Sequence, residues 1–179
     1  MGAALAADVV GSCGRAELER LHEASYGWAL HCCRQRNDEA EDLLQDVYMR
    51  VLDGRARFDG RSSAKTWLFG VIRRAAQERV RRRWLRLGLF ERWHWQELDE
   101  ASPPDPLRLL ADAERNDTLR QAVMQLPRRQ QEVLHLVFYQ DLTIDEAAQA
   151  LRISLGSART HFERGKQRLR DVFARGETL

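Results

Sequence analysis

Apolar positions along this chain return every three or four residues, the repeat of a helix that buries one face. Leu18, Leu21, Ser25, Trp28, Ala29 and Cys32 trace the first stripe and predict an amphipathic helix from Ala16 to about Arg34. A second stripe runs through Leu43, Leu44, Val47, Val51 and Leu52. Asn37 or Asp38 is placed to cap it, the acidic residues that follow suit the positive end of the helix dipole, and Asp53-Gly54 marks its end. Phe58-Asp59-Gly60-Arg61-Ser62 has loop chemistry, and Ser62 or Ser63 caps a third helix through Trp67, Leu68, Val71, Ile72, Ala75, Ala76 and Val80.

The second half repeats the theme with shorter helices. Leu107 to Leu126 reads as one helix, and Pro127 sits where a first helical position tolerates a missing amide hydrogen before a helix to Phe138. Thr143-Ile144-Asp145-Glu146 is a capping box that opens a helix ending near Leu151. After a short Arg152-Ile153 turn, Ser154 caps a last helix that buries Ala158, Phe162, Leu169 and Val172. Two short helices across a tight turn, the second presenting Arg159, Thr160, Arg164 and Lys166 outward, form a helix-turn-helix. No alternating strand pattern competes with these helices.

Between the halves, three of the four prolines fall in Ser102-Pro103-Pro104-Asp105-Pro106. Proline removes an amide donor and disfavours helix in the residue before it, so this stretch is a linker between two folding units. The expected fold class is therefore all-α, with two small helical domains joined by a flexible linker. The boundaries expected are a tail at 1–15, a first domain at 16–92, a linker at 93–111 and a second domain at 112–179.

Charge changes the picture because it is segregated. The net charge is only +2 over 179 residues. Yet Asp38, Glu39, Glu41, Asp42 and Asp46 cluster, whereas Lys65 to Arg92 holds nine basic residues against Glu78 and Glu91. Arg152 to Arg175 holds seven against Glu163 and Asp171. Near-neutrality is a cancellation between surfaces suited to different partners, one of them a polyanion. The three cysteines, Cys13, Cys32 and Cys33, are an odd number, and the adjacent pair does not suit disulfide geometry, which fits a reducing cytoplasm. The opening Met1 to Val10 lacks a basic leader segment, so neither export nor a membrane span is expected.

Three segments carry a resemblance to a known family. Ala40-Glu41-Asp42-Leu43-Leu44-Gln45-Asp46-Val47-Tyr48 resembles the polymerase-binding segment of sigma factors. Phe58 to Phe69 is similar to the promoter-melting region of that family, and Leu126 to Leu134 with the following helix-turn-helix resembles the domain that reads the minus-35 element. The three occur in the family's order, and the absence of a further domain between them points to the extracytoplasmic-function group. Departures are Arg73-Arg74, where many relatives have arginine and asparagine, Asp141 where glycine is usual, and Glu163 where some relatives put an aromatic residue.

The resemblance implies a sigma factor that binds core RNA polymerase and promoter DNA, is held by an anti-sigma factor, and is not an enzyme. Glu41, Asp42, Gln45, Asp46, Met49 and Leu52 share a helical surface suited to a basic helical partner, which the resemblance identifies as the clamp coiled coil of the polymerase. Asp59, Gly60, Arg61, Ser62, Lys65, Arg73 and Arg74 are the candidates for minus-10 DNA, with Arg81, Arg82 and Arg83 adding charge near the backbone. Trp67 is open between core and stacking platform. Ser157, Arg159, Thr160, Glu163 and Arg164 are the minus-35 candidates: Arg159 and Thr160 are expected to read bases, and Arg164, Lys166 and Arg168 either hold phosphates or stay solvated.

Neither a metal nor a cofactor is expected. His22, His31, His94, His135 and His161 are scattered over different elements, no glycine-rich phosphate loop is present, and His31-Cys32-Cys33 lacks ligand spacing. A redox switch at Cys13 stays open. The rival reading is an ordinary helix-turn-helix regulator that does not engage polymerase.

Overall fold

The computed structural model describes residues 14–86, Leu119 and 121–176, and every regular element among them is helical. The chain divides into two compact units between Arg83 and Trp84. The linker expected at 93–111 and most of the helix expected over Leu107 to Leu126 lie outside the described residues. Of that helix the described residues are Leu119 and 121–126, helical at Leu119 and at 121–124.

In the first unit, α1 (Arg15–Arg20) and α2 (His22–Cys32) replace the single helix expected from Ala16. The break is slight: Leu21 lies between them at φ −93°, ψ 3°, and its amide still donates to the Glu17 carbonyl. α3 (Asn37–Leu52) begins at the first of the two expected cap residues, so Asn37 and Asp38 both lie inside the helix. Arg36 is its N-cap residue and no side chain caps it. Asp38 and Glu39 therefore fall in the first turn, where their charge meets the helix dipole directly. Asp53 closes α3, and Gly54 takes φ +75°, a conformation that favours glycine. α4 (Ala64–Arg86) starts after Ser63, whose hydroxyl accepts from the Thr66 amide at 3.1 Å, so Ser63 is the cap.

α2 and α3 pack together, and Trp28 ties them to α4. Its ring is fully buried against Phe69, and its indole N–H donates to the Phe69 carbonyl at 3.0 Å. Leu43, Val47, Leu68, Phe69 and Ile72 complete this core. Phe69 was missed from the sequence stripe. Leu52 and Val80, assigned to buried stripes, are exposed.

In the second unit α5 (Arg128–Phe138), α6 (Ile144–Leu151) and α7 (Leu155–Gly176) each pack on the other two. Pro127 is the residue just before α5, and its carbonyl accepts from Gln130 and Gln131. Thr143 and Glu146 form the reciprocal capping box: the threonine hydroxyl accepts from the Glu146 amide, and the glutamate accepts from the Thr143 amide at 2.9 Å. Arg152 ends α6 in the left-handed region at φ +52°, and Ser154 accepts from the Ser157 amide at 3.1 Å to start α7. Val133, Leu136, Ala147, Leu151 and Ala158 form the core, whereas Val172, expected inside, is exposed.

Candidate partner and nucleic-acid interfaces

α3 turns Leu43, Leu44, Val47 and Val51 inward, and the same period turns Glu41, Asp42, Gln45, Met49 and Leu52 to solvent. Met49 and Leu52 are each 54% exposed, which leaves an apolar edge beside the carboxylates. All six residues singled out from the sequence thus share one side of α3, but Asp46 differs from the others in being half-buried and paired. Arg50 donates to both its carboxylate oxygens, at 3.2 and 2.7 Å, and Arg79 of α4 stands 3.8 Å away. Arg79 also donates to the Asp42 carbonyl at 2.7 Å, and Arg83 reaches Glu39 at 3.9 Å. Glu41 and Asp42 have side chains with no ion pair among the described residues.

The loop between α3 and α4 is built from short-range turns. Asp59 accepts from the Arg61 amide at 3.2 Å, and Gly60 takes φ +71°. Asp59, Gly60 and Arg61 are exposed, Ser62 and Lys65 are half-buried, and the Lys65 ammonium lies 5.7 Å from the Phe69 ring centre. Trp67 is half-buried with its ring 5.4 Å from Phe58, so it closes the loop onto the helix rather than filling the deep core.

Arg73 sits differently from its neighbours. Only 7% of it is exposed, and with the Gln77 amide turned to accept, its guanidinium donates there at 3.0 and 3.3 Å. The reason is its place one turn after Phe69 and three residues before Ala76, both buried, so it belongs to the inner face of α4. Arg74 projects outward and pairs with Glu78 at 3.3 Å. Arg81, Arg82 and Arg83 are exposed.

On α7, Ser157, Arg159, Thr160, Glu163 and Arg164 are all exposed. The Thr160 hydroxyl donates to the Gly156 carbonyl at 2.9 Å, which leaves its lone pairs and methyl group for a ligand. Two of the more distal cations are drawn back to the protein. Lys166 lies 3.5 Å from Glu163 and 4.9 Å from the Phe162 ring centre, and Arg168 donates to Gln130 of α5 at 3.3 Å. Arg159 and Arg164 carry no ion pair among the described residues.

Beneath this surface lies Glu132, missed from the sequence, buried on α5 with Arg128 at 3.3 Å and Arg129 at 3.2 Å. Loss of water raises its pKa despite the pull of the two arginines and of His161. The sequence signal was faint: a glutamate on the face shared by Val133 and Leu136.

Cys32 and Cys33 are buried, and Cys13 lies outside the described residues. Among the described residues no group of His, Cys, Asp or Glu is arranged to hold a metal ion, and no helix is long and apolar enough to cross a membrane.

Residues 18–86 match Sigma-70 region 2, and residues 116–169 match Sigma-70, region 4. Similar proteins include the ECF RNA polymerase sigma factor SigX of Bacillus subtilis, 36% identical over 85% of this chain and 79% of that protein. Another is the RNA polymerase sigma factor YlaC of the same organism, 29% identical over 87% of this chain and 91% of that one. Among solved structures, the fold is similar to the sigma factor RpoE of Bartonella quintana in complex with the anti-sigma factor NepR. The TM-score is 0.66 at 22% identity, covering 89% of this chain and 96% of that one. CnrH in complex with the cytosolic domain of CnrY gives 0.55 at 18% identity, covering 89% and 86%.

Proposed function

The chain belongs to the extracytoplasmic-function group of the sigma-70 family, and from that premise we propose how its surfaces divide the work of starting transcription. As a sigma factor it binds core RNA polymerase and directs it to promoters. The exposed side of α3 is the docking face: Glu41, Asp42, Gln45 and Asp46 meet a basic helix of the polymerase, and Met49 and Leu52 supply apolar contact. The observation that carries this reading is that outward-facing carboxylates and a half-exposed apolar edge occupy one face of the helix that matches region 2. Charge complementarity sets orientation and encounter rate, and the buried apolar edge supplies affinity.

The loop at Asp59 to Ser62, with Lys65, would receive unpaired minus-10 bases, and Arg74, Arg81 and Arg82 would neutralise nearby phosphates. Holding an extruded base in a pocket lowers the cost of unstacking it. Arg73 supports this surface from inside α4 instead of touching DNA. On α7, Arg159 and Thr160 would read the minus-35 element in the major groove, Ser157 and Glu163 would shape the preference, and Arg164 would hold phosphate. We assign the chain no catalytic chemistry of its own, since bond formation belongs to the polymerase. Its place of work is the cytoplasm, and an anti-sigma factor that covers the docking and DNA-binding surfaces is its expected inhibitor.

An ordinary helix-turn-helix regulator would account for residues 116–169 and leave the match at 18–86 without a purpose. The deciding experiment is transcription from genomic DNA by purified core polymerase with and without the purified chain. Specific new transcripts are expected; duplex binding with no initiation would overturn the reading.

A further inference from the structure

Arg50 stands at the junction of the two surfaces of the first unit and touches neither from outside. Its side chain is 20% exposed. Nε and one terminal nitrogen grip the two oxygens of Asp46 at 3.2 and 2.7 Å, while the other terminal nitrogen donates to Glu78 of α4 at 3.0 Å. Glu78 is held in turn by Arg74 at 3.3 Å. The chain of contacts therefore runs from the acidic side of α3 to the outward side of α4.

A carboxylate on a helix surface samples several rotamers and must give them up when a partner binds. Asp46 is already held, because a guanidinium fork fixes both oxygens and the fork itself is anchored to a second helix. Asp42 lies one turn before Asp46, and Met49 three residues after it, on the same exposed side. Lysine cannot reproduce the arrangement: a single ammonium replaces a planar fork that serves two oxygens of one carboxylate and a third on another helix.

We propose that Arg50 is a positioning residue for polymerase docking, which holds the Asp46 carboxylate in register with Asp42 and Met49 and takes its own purchase from Glu78. This rests on the assignment of α3 as the docking face. Arg50 acts through Asp46 and makes no contact with the polymerase itself.

The test is the affinity of the full chain for purified core RNA polymerase, measured for Arg50→Ala, Arg50→Lys, Asp46→Asn, Glu78→Gln, Asp42→Arg and the combinations with Asp46→Asn. Arg50→Ala is expected to weaken docking about tenfold, Arg50→Lys to recover little of it, and Glu78→Gln to weaken it about threefold. In the Asp46→Asn background the same changes should alter affinity by less than about twofold, because the group they position is already gone. Hydrogen exchange over α3 and α4 reports whether Arg50→Ala keeps the fold. Should it not, Glu78→Gln alone and with Asp46→Asn carries the test.

Equal losses from Arg50→Ala or Glu78→Gln with and without the Asp46 carboxylate would overturn the inference, leaving Arg50 as a brace between helices. So would unchanged affinity. If Asp42→Arg abolishes docking while Arg50→Ala does not affect it, only the role of Arg50 fails. If Asp42→Arg is also silent, the docking face on α3 fails with it.

Discussion

Gly165 of α7 lies so close to Leu134 of α5 that a Cβ added to the glycine would stand 2.8 Å from Leu134 Cδ1. Leu134 Cγ and Gln130 Cβ would follow at 3.3 and 3.4 Å. Leu134 is buried, so its side chain has little room to withdraw. The missing side chain at Gly165 is what lets the two helices approach here.

Gly165→Ala should therefore destabilise the second unit by about 1 kcal/mol, the overpacking cost of about 1 to 3 kcal/mol being partly offset by about 1 kcal/mol of helix propensity. Gly165→Val brings two further carbons and poorer propensity, and should cost about 3 kcal/mol or more. Hydrogen exchange of α5 and α7 amides in the full chain measures both. A stabilising Gly165→Ala would mean that Leu134 yields freely.

Asp141 takes φ +51°, in the left-handed region, just before the capping box of α6. The turn into the helix-turn-helix thus demands a backbone conformation that a side chain resists and that glycine would adopt without strain. Aspartate is among the better tolerated alternatives, and glycine adds freedom to the unfolded chain. Asp141→Gly should therefore be neutral or stabilising by at most about 1 kcal/mol, and Asp141→Val destabilising by about 1 to 2 kcal/mol. Exchange rates in α6 would report either change. A marked loss with glycine would show that the Asp141 side chain matters more than its backbone angle.

Much of this architecture was legible because it is local. Ser63, Thr143 and Ser154 cap the helices at the places the spacing marks, since a cap and the amide it serves are three residues apart. Exposure of Glu41, Asp42, Met49 and Arg159 follows from helical period alone. What was hidden is pairing across distance. Arg50 and Glu78 are 28 residues apart, so nothing in the period of α3 announces their contact. The burial of Arg73 was hidden for a different reason: a run of arginines suggests one basic surface, but neighbouring helical residues point about 100° apart, so Arg73 is buried where Arg74 faces out. The absence of a side-chain cap on α3 shows the converse, because two good capping residues both fell inside the helix.

Glu132 makes the stability of the second unit depend on pH in a direction opposite to that of an ordinary ion-paired carboxylate. Its folded pKa lies above the ordinary 4.5, chiefly because burial penalises the charge more than Arg128, Arg129 and His161 relieve it. Below pH 4.5 both folded and unfolded chains hold the proton, and the site's contribution is complete. As pH rises past 4.5 the unfolded chain loses its proton first, so the contribution falls until the folded site also ionises at its raised pKa. Wild type should therefore lose stability relative to Glu132→Gln over that window and then level off. Urea unfolding of both proteins, followed by circular dichroism at a series of pH values, measures the difference and cancels groups common to the two. A difference that grew in favour of wild type would mean that the arginines outweigh burial.

The last prediction concerns how α7 divides affinity from sequence preference. Arg159 is exposed two turns or less from the start of α7 and carries no ion pair among the described residues, so its fork is available to a base edge or a phosphate. Arg168 lies farther along the helix and already spends a donor on Gln130. If Arg159 pairs bidentately with guanine, Arg159→Ala should reduce discrimination between matched and mismatched minus-35 elements by about 1 to 3 kcal/mol. Arg168→Ala should weaken all sequences alike or leave them unchanged. Thr160→Val retains a methyl group and loses the hydroxyl oxygen that is free to accept, so it separates apolar contact with thymine from hydrogen bonding to cytosine or adenine amino groups. Holoenzyme binding to a promoter and to minus-35 substitutions, at two salt concentrations, distinguishes these roles. Loss at one base position with an unchanged salt slope assigns Arg159 to readout. A uniform loss with a slope lower by about one assigns it to phosphate instead.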